Sequence, residues 1–154
     1  MIPYLLILLA FLADRISKWW AAAYLAEHGP TTFNDFFTLH ETYNRGIAFG
    51  LLQGSGPLVG WFTIGIVASL LVYMTRLPRE ERLMRMGLAL LIGGALGNLV
   101  DRVTAGEVLD FIQTPLRSGI FNVADVMIHL GLIVALAGAF WQGSPRRSLK
   151  LPDN

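Results

Sequence analysis

Four apolar stretches, about 2–25, 58–75, 86–103 and 121–141, leave this chain few folds to choose from, because roughly 20 helical residues span the hydrocarbon core of a bilayer. Inside lipid a backbone must close its own hydrogen bonds, which a helix does within one segment. The expected fold is an all-α integral membrane protein, a four-transmembrane-helix bundle in one domain over 1–154. Of the 154 residues 54% are hydrophobic and only 15% charged, so no stretch is left for a soluble domain. A net charge of +1 without a basic stripe excludes nucleic acid as a partner. Cysteine is absent from the sequence, which excludes disulfide and thiol chemistry.

The first block carries Asp14, Arg15 and Lys18 where a cleavable signal would stay apolar, so it reads as a retained helix. Asp14 and Lys18 stand one turn apart on one face and can neutralise each other toward the bundle interior, as a structural pair. The loop at about 26–57 is rich in glycine and aromatic residues. Its Phe36 to Tyr43 portion, dense in Phe, Thr and Tyr, predicts a small periplasmic β-rich excursion between helices 1 and 2. Tyr43 to Gly50 follows, with Gly46 and Gly50 permitting a turn or a close approach to a ligand.

Arg76, Arg79, Arg82 and Arg85 make the loop at about 76–85 basic, and Arg146, Arg147 and Lys150 do the same for the tail 142–154. Seven of the twelve Lys and Arg thus fall where the positive-inside rule places the cytoplasm. Both termini are then cytoplasmic, and the loops 26–57 and 104–120 lie outside. Gly93 and Gly97 in helix 3 have the spacing that lets a neighbouring helix approach closely. Asn122 is placed to cap helix 4, with Asp125 three residues on, where the helix dipole favours a carboxylate.

This topology gathers Asn44, Asp101, Arg102, Asp110, Asn122 and Asp125 at the outer membrane boundary. A carboxylate there costs about 2.5–3.5 kcal/mol on insertion scales unless partnered or wetted, so three of them demand a reason. Two carboxylates close together in a partly dry site cannot both ionise easily; one keeps its proton, and the pair can serve as base and acid. Such a dyad activates water against an amide carbonyl without a nucleophilic Ser or Cys. Asp125 and His129 could offer two metal ligands, but no second His or Cys is near in sequence, so neither a metal nor another cofactor is expected. A proton or ion pathway built on intramembrane carboxylates is the alternative function.

Five segments together resemble the lipoprotein signal peptidases, the bacterial signal peptidase II family of membrane aspartyl proteases. They are Asp14-Arg15-Ile16-Ser17-Lys18, Asn44-Arg45-Gly46-Ile47-Ala48-Phe49, the stretch from Gly93 to Arg102, Val108-Leu109-Asp110-Phe111, and Phe121-Asn122-Val123-Ala124-Asp125. The resemblance implies an aspartic endopeptidase of the bacterial inner membrane, its site facing outward, that removes signal peptides from diacylglyceryl-modified prolipoproteins before the lipidated cysteine. It implies Asp110 and Asp125 as the catalytic dyad, and Asn44, Asn98, Arg102 and Asn122 as the substrate-binding set. Membrane lipids and peptide-like inhibitors of the globomycin type are the further implied partners. Asp101 is the competing candidate for the dyad, but its place beside Arg102 assigns it a structural or orienting role, with Asp14 and Lys18 as structural polar residues.

Overall fold

The computed structural model describes residues 1–46 and 56–142. The Ile47 to Gly50 part of the expected ligand-approaching turn, and the basic tail from 143 on, lie outside the described residues. Four helices are present: α1 (Ile2–His28), α2 (Gly56–Arg76), α3 (Arg82–Thr104) and α4 (Val123–Gln142). α1 opens with Pro3 in its first turn, where the missing N–H costs nothing, and stops at Gly29, whose φ of 66° ends the helix.

α3 is the central helix, packed on α1, α2 and α4. Val67, Met74, Leu88, Ala89, Ile92, Ala95 and Ala135 form its buried cluster. Gly93 and Gly97 give α3 a face without side chains, and α1 lies directly on it. A Cβ at Gly93 would stand 2.6 Å from the Ile7 carbonyl oxygen, and one at Gly97 would collide with the Asp14 carboxylate.

The burial pattern of α1 is inverted relative to a helix in water. Ala10, Asp14, Lys18, Ala21 and Leu25 are its buried residues, while Leu5, Leu8, Leu9, Ile16 and Trp19 are exposed. α4 likewise turns Leu132, Ile133, Leu136 and Phe140 outward. Apolar surface of this extent is stable only against lipid. Among the described residues, three helices are long and apolar enough to cross a membrane, over Val59–Arg76, Arg82–Thr104 and Val123–Trp141. α1, the remaining expected span, differs from them in the three charges, Asp14, Arg15 and Lys18, near its middle.

The segment 104–120, expected as a loop, is largely strand. β3 (Val108–Thr114) and β4 (Arg117–Phe121) form a hairpin, and with β1 (Thr31–Asn34) and β2 (Phe37–Asn44) complete one antiparallel sheet of order β1-β2-β3-β4. Val-Leu-Asp-Phe-Ile-Gln-Thr is a strand-forming run, but its pairing partner β2 lies more than sixty residues away, at Thr42↔Asp110 and Asn44↔Val108. The β-rich region is therefore built from the segment after α1 and the segment after α3 together, and not from the first alone. Leu39 and Phe111 bury against Ala21 and Leu25, which docks the sheet on the C-terminal end of α1.

Candidate active site

The fold brings the polar residues of five elements to one place. β3 carries Asp110, β2 ends on Asn44, α3 contributes Asn98 and Arg102, and the β4–α4 junction supplies Asn122 and Asp125. Asn122 is the joint between strand and helix. Its Oδ1 accepts the Asp125 backbone N–H at 2.9 Å, which caps α4 as the sequence predicts. Its Nδ2 donates to Asp110 Oδ1 at 2.6 Å. One fully buried side chain thus holds the backbone of one aspartate and the carboxylate of the other.

Each carboxylate has a further amide donor. Asn44 Nδ2 donates to Asp110 Oδ2 at 3.3 Å, and the orientation of that amide is set by the Gly46 N–H, which bonds Asn44 Oδ1 at 3.0 Å. Asn98 Nδ2 donates to Asp125 Oδ1 at 3.0 Å. Burial pushes the Asp110 carboxyl up to about 6, and the charge of Asp125 adds to the rise against the opposing bonds from Asn44 and Asn122. A group so placed can take up and return a proton near neutral pH.

Asp14 and Lys18 pair as the i,i+4 spacing predicts, at 2.9 Å, and both are buried. Asp14 also reaches across to α4, where its Oδ1 accepts the Ala124 N–H at 2.9 Å. That bond fills a second free donor of the first turn of α4, beside the one filled by Asn122. Asp101 is not held by Arg102. Its partners are Arg15 and Lys18, the latter at 2.7 Å. Arg102 instead bonds the Gly46 carbonyl oxygen at 3.1 Å and the Asn98 carbonyl at 3.4 Å, and its Nε is buried with no partner among the described residues. The reason is helical geometry: consecutive residues point about 100° apart, so Asp101 faces α1 while Arg102 faces the end of β2.

Arg15 is visible in the sequence as a charge in the first apolar block, but its ion pair with Asp101, across 86 positions, comes only from the packing of α1 on α3. His129 is exposed, and its Nδ1 lies 2.6 Å from the Asp125 carbonyl oxygen of its own helix. No three His, Cys, Asp or Glu side chains converge in a metal-binding arrangement among the described residues.

Comparison with known proteins places this architecture. The family model described as signal peptidase (SPase) II matches residues 6–141. A lipoprotein signal peptidase of Geobacillus thermodenitrificans is 38% identical over 95% of this chain and 94% of its own length. That of Sinorhizobium fredii is 37% identical over 96% of this chain and 91% of its own. A solved structure described as a bacterial membrane enzyme superposes with a TM-score of 0.86 at 27% identity, covering 97% of this chain and 93% of the other. On this evidence the chain belongs to the signal peptidase II family, a family of membrane proteases.

Proposed function

We propose that the protein is an aspartic endopeptidase acting through Asp110 and Asp125, and that it removes signal peptides from diacylglyceryl-modified prolipoproteins by cutting before the lipidated cysteine. The observation that carries the reading is the Asn122 side chain, bonded to the carboxylate of Asp110 and to the backbone N–H of Asp125, with neutral amides as the direct hydrogen-bond partners of both carboxyls among the described residues. Water between the carboxyls loses a proton to the ionised one and attacks the scissile carbonyl. The protonated carboxyl polarises that carbonyl and then protonates the leaving amine. Asn44, Asn98, Arg102 and Asn122 line the path of the peptide, and the Arg102 Nε, without a partner among the described residues, can bond a peptide carbonyl.

α1 is read as the fourth span. Its 27 residues are about 40 Å of helix, long enough to cross, and its charges face protein while its apolar residues face outward. With both termini in the cytoplasm, the sheet and the dyad then lie at the outer face of the inner membrane. Opening at that boundary lets the substrate's acyl chains remain in lipid, each buried CH₂ contributing about 0.8 kcal/mol to binding. The test is cleavage of a lipidated precursor against its unmodified form by purified protein. The expected result is a large preference for the lipidated form in kcat/KM and inhibition by peptides of the globomycin type. Equal kcat/KM would remove the lipid from the proposal; proton flux without cleavage in reconstituted vesicles would replace it with a pathway protein.

A further inference from the structure

Lys18 lies among side chains that leave its ammonium no free direction. It meets Asp14 Oδ2 at 2.9 Å, Asp101 Oδ2 at 2.7 Å and Asn98 Oδ1 at 2.8 Å. The first two contacts balance charge. The third is different in kind, because Asn98 is the residue whose other amide atom, Nδ2, donates to Asp125.

An asparagine amide can be seated in either of two orientations. Here Asn98 Oδ1 faces two donors, Lys18 Nζ at 2.8 Å and Asn122 Nδ2 at 3.1 Å. Turning the amide over would point N–H groups at both and withdraw the donor from Asp125. Asn122 alone is a weak determinant, since its Nδ2 is spread over Asn98, Leu109 and Asp110. The ammonium is the strong one, as charged donors make the stronger hydrogen bonds. We propose that Lys18 is a positioning residue for the dyad: it locks the Asn98 amide with its N–H toward Asp125, and so keeps that carboxylate oriented for its part in the proton transfers that activate water.

This rests on the dyad reading above and goes beyond the pairing of Asp14 with Lys18. The charged groups around Lys18 are Asp14 and Arg15 on α1, Asp101 and Arg102 on α3, Asp110 on β3 and Asp125 on α4. Of these, Asp125 is reached through Asn98 alone among the bonds described.

The experiment is steady-state cleavage of a lipidated precursor across pH 5–9 by wild type and Lys18→Met, per folded molecule. Thermal stability is measured beside it. Lys18→Met should lower kcat by about 10- to 100-fold, the scale known for partners that orient metal ligands, with KM little changed. The acidic limb of its pH profile should also move. A Lys18 that only holds helices together would lower the melting temperature and leave kcat and the pH profile at wild type, which overturns the proposal. Should Lys18→Met fail to insert, the double variant Lys18→Met with Asp101→Asn removes one charge of each sign and decides by the same readouts. Asp110→Asn and Asp125→Asn run alongside: if both cleave normally, the dyad reading itself is wrong. If both are dead while Lys18→Met behaves as wild type, only the role of Lys18 falls.

Discussion

Two groups of carboxylates, three of the four side chains buried and Asp125 half-buried, meet different partners in this protein. Asp14 and Asp101 meet cations, Lys18 and Arg15, so the group sums to zero charge and every member is fixed. Asp110 and Asp125 meet only the amides of Asn44, Asn98 and Asn122 as direct side-chain partners. A carboxylate pressed against cations is engaged in balancing their charge and in holding α1 to α3. One held by neutral amides keeps its geometry without a direct ion pair among the described residues, the arrangement that the proposed acid–base role asks for. On the proposed reading the same residue type is scaffold where it faces cations and chemistry where it faces amides.

Substitutions should separate the two groups. Asp110→Asn or Asp125→Asn should leave a folded, inserted protein and remove turnover by about 10²- to 10⁴-fold or more, with the double variant losing little beyond either single one. If Asp110→Asn keeps near wild-type turnover while Asp101→Asn is folded and dead, the dyad is Asp101 with Asp125. Asp14→Ala should do the opposite. It removes one of the two carboxylates that neutralise Lys18 and leaves the Ala124 N–H without its acceptor, at a cost of about 3–5 kcal/mol read by thermal unfolding in detergent, with turnover retained in whatever folds. Asp101→Asn should show the same behaviour more mildly, since Asp14 still neutralises Lys18 and the Ala124 N–H keeps its acceptor.

A smaller effect concerns the stability cost of the dyad. Asp110 has its folded-state value raised from 3.8 to about 6, so between those limits the folded protein binds the proton more tightly than the unfolded chain. Its contribution to stability therefore falls as pH rises from about 4 to about 6 and stays low above. Asp110→Asn should accordingly melt higher than wild type at pH 7.5, by roughly 1–3 kcal/mol less any hydrogen bond lost from Asn44 or Asn122, and the difference should shrink toward pH 4. A gap that widens on acidification would contradict the assignment. Smallest of all is Arg45→Gln. The Arg45–Glu107 bridge spans 2.7 Å but Arg45 is 69% exposed, so unfolding and turnover should match wild type within error in 0.15 M salt.

What could be read from the sequence follows the distance between partners along the chain. Asp14 with Lys18 and Asn122 with Asp125 are separations of one helical turn or less, where spacing alone dictates contact. The pairing of Asp101 with Arg15 needed the docking of α1 on α3, so the sequence neighbour Arg102 was credited instead. The β3–β4 hairpin was missed for a similar reason, as Asp110 acquires its strand neighbours from β2. Helix ends were displaced by another effect: α3 begins at Arg82 and not near Met86, and α1 continues to His28. Apolar content marks where lipid begins and ends, while hydrogen bonding carries a helix on past it.

The hairpin that carries Asp110 also governs how the segment between α3 and α4 can change in length. Its register is pinned at the end nearest the site by Ile112↔Phe121, one residue before Asn122. Its turn, at Pro115 and Leu116, lies at the opposite end, and Leu116 is 85% exposed. Residues added at that tip would lengthen the interval between the two aspartates in the chain without moving either in space. Sequence separation and spatial separation of the dyad are thereby uncoupled, which makes the tip the place to insert a reporter peptide or an affinity tag while keeping the enzyme intact.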